Sequence, residues 1–257
     1  MPSTSESCVK FNEPLMHQSC ILGYHKIEVA PASARFVGLY VGRRSFCQQL
    51  KQLATVDATC LDLRSITAGE KGFVLTFDDA FQSVFVNALP ELRVYGYRAI
   101  TFVVAGKVGG RNDWDVAAGC VPAPLMNEAE LKEWIKAGHE IGGHTMTHPW
   151  LSHLKMSEAR REIVDCKRSL EDRFGVRLKH FCYPFGDYNK EIRDMVEEAG
   201  YETACTTAEG SIGHTEDLFA LPRKMIYSRR YHHWIGQIIQ KLGTSGQFRA
   251  GHLDPNQ

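Results

Sequence analysis

No stretch of this chain is apolar for long enough to cross a bilayer. Its opening residues, Met1-Pro2-Ser3-Thr4-Ser5-Glu6-Ser7-Cys8, lack the basic and apolar regions of a secretory signal. These two absences make a cytoplasmic protein the expectation. Net charge is missing too, since 30 Lys and Arg residues balance 30 Asp and Glu. A chain without excess charge has no broad electrostatic footprint for nucleic acid or an anionic membrane, so a neutral, locally recognised substrate is expected. The eight cysteines include no Cys-x-x-Cys, and Cys20, Cys182 and Cys205 lie inside apolar runs. Free buried thiols are expected rather than a disulfide framework. The sequence carries no signature of oligomeric state.

What is present is enough chain for one sizeable core: 257 residues, 44% of them hydrophobic. Residues 1–18 mix Ser, Pro and polar groups without periodicity, which predicts a flexible lead. The tail from Gly243 has a disordered composition. Between them, residues 19–242 form one expected domain in which strand-like and helix-like segments alternate, the pattern of βα units around a parallel sheet or barrel. Strands are predicted at Cys20 to His25, Phe73 to Phe77, Ala99 to Val104, His180 to Tyr183, Tyr201 to Thr206 and Leu221 to Tyr227, with Glu140 to Gly143 leading into a His pair. Helices are predicted at Phe46 to Ala54, Phe81 to Val94, Glu128 to Ala137, from an N-cap at Ser157 to Gly175, at Lys190 to Ala199 and at Trp234 to Leu242. Gly106 to Pro124 has no clear period and is expected to be a long loop over the functional face. Its Trp114 could stack on a sugar ring or simply anchor the loop. Tyr227 to Trp234 is a local basic and aromatic cluster, expected to be a solvated helix start.

Two short motifs stand at the C-terminal ends of predicted strands, where parallel βα folds build their sites. Thr76-Phe77-Asp78-Asp79 follows an apolar run, and His144-Thr145-Met146-Thr147-His148 follows a glycine-containing strand. Either motif alone has a bland reading: Asp78-Asp79 as a helix N-cap or solvated turn, the His pair as neighbours on a helix face. Pro149 and the preceding glycines place the pair on a strand-end turn instead. Together, two imidazoles and one carboxylate leave a divalent cation an open position for water, and a second carboxylate can take that water's proton.

A third motif, Tyr183-Pro184-Phe185-Gly186, follows in order. The three together resemble the signatures of the polysaccharide deacetylases, carbohydrate esterase family 4, also called the NodB-homology domain. Tyr24-His25, Gly138-His139-Glu140-Ile141-Gly142, Ala199-Gly200-Tyr201 and Leu221-Pro222-Arg223 extend the resemblance from about Ile21 to Tyr227. It implies a distorted (β/α) barrel and removal of an N-acetyl group from a sugar, in a glycan, polysaccharide or sugar-linked precursor. It further implies Asp79, His144 and His148 as metal ligands, Asp78 as general base, and a backbone N–H near Phe185 among the oxyanion donors. The metal is commonly zinc, and Co2+, Ni2+ or Fe2+ suit the same ligands.

The chain departs from the family pattern twice. Cys182 stands where an arginine often orients the base, and Leu221-Pro222-Arg223 stands where Leu-x-His often supplies the acid. Arginine cannot act as that acid at useful pH. The paired loss and gain suggests that Arg223 supplies the positive charge near Asp78 that position 182 lacks. The acid must then be another group, with His25 the leading candidate and His214, His232 and His233 behind it. Two other readings remain: hydrolysis of a cyclic imide or ureide, and a catalytically silent carbohydrate-binding relative.

Overall fold

The computed structural model describes residues 19–56, 58–212 and 217–227. The expected lead, the tail, the helix at Trp234 to Leu242, and His214, His232 and His233 lie outside them. So does the expected basic cluster, apart from Tyr227. No helix among the described residues is long and apolar enough to cross a membrane.

Along the chain run β1 (Cys20–Tyr24), α1 (Arg43–Leu53), β2 (Thr59–Cys60), α2 (Leu63–Thr67) and β3 (Gly72–Phe77). Then follow α3 (Leu89–Tyr95), β4 (Ile100–Val103), α4 (Glu128–Lys136), β5 (Glu140–Gly143), α5 (Met156–Phe174), β6 (His180–Cys182), α6 (Lys190–Glu198), β7 (Thr203–Glu209) and β8 (Leu221–Met225). All strand pairings are parallel, and seven strands close into a barrel in the order β1, β3, β4, β5, β6, β7, β8 and back to β1. The distorted (β/α) barrel implied by the motifs is the fold observed. Its distortion has a local cause. The short strand β2 pairs with the start of β3 at Gly72 and Phe73, whereas β4 pairs only with its end at Thr76 and Phe77.

Alternation of side chains along each strand sorts the core into two layers. Leu22, Tyr24, Phe73, Leu75 and Phe77 pack outward under the helices. Ile21, Val74, Phe102, Cys182, Cys205 and Leu221 form a second, smaller cluster. That second set marks the lumen, and two or four residues further along the chain the same parity carries Thr76, Asp78 and Arg223. Gly23 makes the space there: a Cβ at this position would lie 2.5 Å from Met225 Sδ and 3.4 Å from an Arg223 nitrogen.

Two helix expectations need correction. The segment predicted as one helix from Phe81 to Val94 contains a π turn at Val84–Ala88 before α3, because Pro90 has no N–H to continue the regular ladder. The N-cap of α5 is Lys155, not Ser157. Glu158 accepts the Lys155 N–H with its carboxylate, so the capping contact forms two residues before the one that the sequence favoured. Gly175 does end α5, at φ 65°.

Candidate metal centre and active-site cavity

Three strand-end turns build the site, and each is conformationally costly. Among the described residues, the non-glycine residues with positive φ are Asp79, Ala80, Thr145, His148 and Phe185. A left-handed backbone costs an L-residue about 1–2 kcal/mol. All five positions are expected ligands or motif residues beside them, so the strain is concentrated where the chain aims side chains at one point.

Asp79 follows β3, and His144 and His148 follow β5. One ligand atom from each lies within 4.8 Å of the others, and all three residues are buried. Asp79 Oδ1 lies 3.5 Å from His144 Nε2 and 3.3 Å from His148 Nε2, yet it has no hydrogen-bond partner among the described residues. A buried carboxylate oxygen left this way is costly unless a cation completes it. His144 Nδ1 donates to the Cys182 carbonyl at 2.6 Å, which leaves Nε2 with its lone pair toward Asp79. The donor set and its buried, unpaired oxygen therefore fit a divalent cation.

The turn that carries both histidines is clamped from α5. The Glu162 carboxylate accepts the Met146 N–H at 2.8 Å, the Thr147 N–H at 2.9 Å and the Thr147 hydroxyl at 2.7 Å. Inside the turn, Thr145 Oγ1 accepts the His148 N–H at 2.9 Å. No sequence signal distinguishes Glu162 from the other polar positions of an amphipathic helix.

Asp78 occupies a different environment. Arg223 is wholly buried and donates to both Asp78 oxygens, at 2.7 and 2.8 Å. Its remaining N–H groups reach the Thr206 carbonyl at 2.8 Å, Thr76 Oγ1 at 3.1 Å and Cys182 Sγ at 3.2 Å. All five guanidinium donors are used. Burial disfavours the Asp78 charge, but Arg223 and the nearby histidines outweigh it, and the Asp78 pKa is lowered. Cys182 thus sits beside the guanidinium, and burial pushes its thiol up to about 11, so it stays neutral.

His25 Nε2 lies 3.8 Å from Asp78 Oδ2, and its pKa is lowered, chiefly by burial. His25, Asp78, Asp79, His144, His148 and Phe185 share the lining of one cavity of about 180 Å³. Tyr183 lines it as well, but its hydroxyl donates to the Phe219 carbonyl at 2.9 Å. Pro184 is buried within the turn that shapes Phe185. Trp114 stacks on the His148 ring with centroids 4.5 Å apart, so one indole face is already covered. The Gly106 to Pro124 segment does reach the cavity, through Asp115.

Comparison with known proteins agrees with this architecture. The polysaccharide deacetylase family profile matches residues 65–204, more than half of the chain. The polysaccharide deacetylase-type protein YxkH of Bacillus subtilis is 28% identical over 154 residues, 60% of this chain and 51% of that protein. The chain thus spans about half the length of that relative. A poly-β-1,6-N-acetyl-D-glucosamine N-deacetylase of Staphylococcus aureus is 25% identical over 240 residues, covering 83% of this chain and 80% of its own. Among solved structures, the Streptococcus pyogenes deacetylase PplD in complex with acetate superposes with a TM-score of 0.73 at 25% identity, over 88% of this chain and 99% of that one. IcaB from Ammonifex degensii shares the fold, with a TM-score of 0.72 at 21% identity over 88% and 98% of the two chains. With the family profile running from within α2 to the start of β7 and taking in Asp78, Asp79, His144, His148 and Phe185, the chain belongs to the polysaccharide deacetylase family.

Proposed function

We propose that this protein is a metal-dependent N-deacetylase of an N-acetylated sugar in a glycan, polysaccharide or sugar-linked precursor, with N-acetylglucosamine the favoured unit. One observation carries the reading. A carboxylate outside the ligand set, Asp78, shares the cavity with three converging ligands and is held by a bidentate arginine. A silent binding domain has no need of that arrangement. The names of the Staphylococcus and Streptococcus relatives support the same chemistry.

Asp79, His144 and His148 would hold the cation, and zinc suits two imidazoles and one carboxylate best. Such an ion supplies a lowered pKa for water and a polarised amide carbonyl. Arg223 keeps Asp78 ionised and fixes its orientation, so the base is ready to take a proton from water at neutral pH. His25, neutral through burial and 3.8 Å from Asp78, relays that proton to the departing nitrogen. Phe185, in a left-handed turn that lines the cavity, would offer its backbone N–H to the developing oxyanion. Trp114 supports His148 from its outer side. Acetate and a free amine are the products.

The test is acetate release from N-acetylated monosaccharides, nucleotide sugars, chito-oligomers and β-1,6-linked N-acetylglucosamine oligomers, after chelation and again after metal reconstitution. Release that disappears on chelation and returns with the metal is expected. A panel with no acetate from any member sinks the proposal.

A further inference from the structure

Asp115 is a carboxylate in the active-site cavity that neither the ligand set nor the proton relay uses. It stands on the long segment between β4 and α4, half-buried, and lines the same cavity as Asp78 and His148. Among the described residues its side chain has no hydrogen bond and no ion pair, whereas neighbouring Asp113 is paired with Lys107 at 2.8 Å. Burial raises its pKa, with Asp79 adding to the effect and His148 opposing it. Half-buried and unpaired, the carboxylate keeps its acceptor sites open toward the cavity it lines.

Its position is built rather than incidental. Trp114, one residue earlier, is locked against His148. The Asp115 carbonyl accepts the N–H groups of Ala118 and Cys120, both at 3.1 Å, which closes the turn beneath it. Asn112 Oδ1 accepts the Ala123 N–H at 2.6 Å and ties the two ends of the segment together. The backbone is therefore fixed while the carboxylate keeps its acceptor sites for something inside the cavity. Leu39, Phe185 and Met225 offer apolar surface suited to the faces of a sugar ring, while the Thr207 and Tyr183 hydroxyls that also line the cavity already donate to the Phe185 and Phe219 carbonyls.

We propose that Asp115 is the specificity-determining residue that accepts hydrogen bonds from hydroxyl groups of the sugar whose N-acetyl group lies at Asp78. This rests on the N-deacetylase reading. Sugar hydroxyls are donors with no charge, and an ionised carboxylate is the strongest acceptor that a protein offers them. The role is recognition and positioning: the interaction is made to the ring, away from the reacting carbonyl.

The test uses the metal-reconstituted protein, Asp115→Ala and Asp115→Asn, and two probes. N-acetylglucosamine oligomers carry the hydroxyls, and 4-nitrophenyl acetate carries an acetyl group with no sugar. Asp115→Ala is expected to raise KM for the oligomer about 10–100-fold, the value of a hydrogen bond to a charged group. Its kcat stays within about threefold, and ester hydrolysis stays near wild type. Asp115→Asn, which keeps one oxygen acceptor, is expected to fall between the two. An unchanged oligomer KM overturns the assignment, as does an equal loss on both probes, which would make Asp115 a support of the metal centre. A wild-type protein that cleaves the ester but no oligomer overturns the carbohydrate reading itself, and with it this assignment.

Discussion

Replacing Arg223 with Met tests the link between the barrel lumen and the chemistry. The substitution removes five donors from a wholly buried site and leaves Asp78, itself 3% exposed, without its counter-charge. Breaking one side of a buried pair costs about 3–5 kcal/mol. Against a domain stability of about 5–15 kcal/mol this is a large share, so the unfolding midpoint falls, and the denaturant curve at each pH shows whether the variant assayed is folded. The sign of the pH effect follows from the balance at Asp78. Burial alone raises its pKa, and Arg223 is the first of the groups that lower it. Without Arg223 the acid limb of the pH–rate profile therefore moves upward, by at least about one unit if 1.4 kcal/mol of the pairing is lost. Arg223→Lys keeps a charge but loses the bidentate fork, so it falls between Met and wild type. In the wild type, the stability that Asp78 contributes is present above the ordinary carboxylate range and is lost as pH falls through its lowered folded value. The assay is acetate release from the best oligomer between pH 5 and 9, with denaturant unfolding of each variant at the same pH values. Near-normal turnover with an unmoved acid limb in Arg223→Met would refute the assignment of Arg223 to Asp78.

Three further outcomes are expected. Glu162→Ala releases the turn that holds both histidines and lowers zinc affinity about 10–100-fold in a chelator competition, and unchanged affinity would show that the clamp is dispensable. Burial pushes His139 down to about 4, and its Nδ1 accepts the Ala99 N–H while its ring stacks on Trp134. Its contribution is therefore complete above pH 6.5 and lost as pH falls towards 4, about 3 kcal/mol in all, measured as a fall in unfolding midpoint that His139→Gln flattens. Adding zinc to the chelated protein at about 100 times its Kd raises stability by about 2.7 kcal/mol, and a metal-independent melting temperature would argue against a site at Asp79, His144 and His148.

Much of the barrel was legible because parallel strands leave strong local marks. Buried runs such as Phe73 to Phe77, and glycines at helix ends such as Gly138, Gly175 and Gly200, are properties of neighbouring residues. Positive φ at those three glycines in the structure agrees with that reading. The exceptions were also local but subtler. Pro90 turned one predicted helix into a π turn followed by α3, and Lys155 took the capping position in place of Ser157.

The sequence by itself determined the chemistry available: which residues are acidic, imidazole or cationic, and that Asp78-Asp79 and the His pair stand at strand ends. The loss of arginine at 182 beside its gain at 223 was also readable. Tertiary structure alone decided what those residues do to one another. Parity along β8 sends Arg223 into the lumen beneath Asp78, across 145 residues of chain. Left-handed turns at Asp79, His148 and Phe185 aim side chains inward at a cost no local propensity predicts. Glu162 and Asp115 became visible only when a helix and a loop distant in sequence met the same strand ends. Periodicity reports which face of an element is buried, whereas a site depends on which buried faces close around one another.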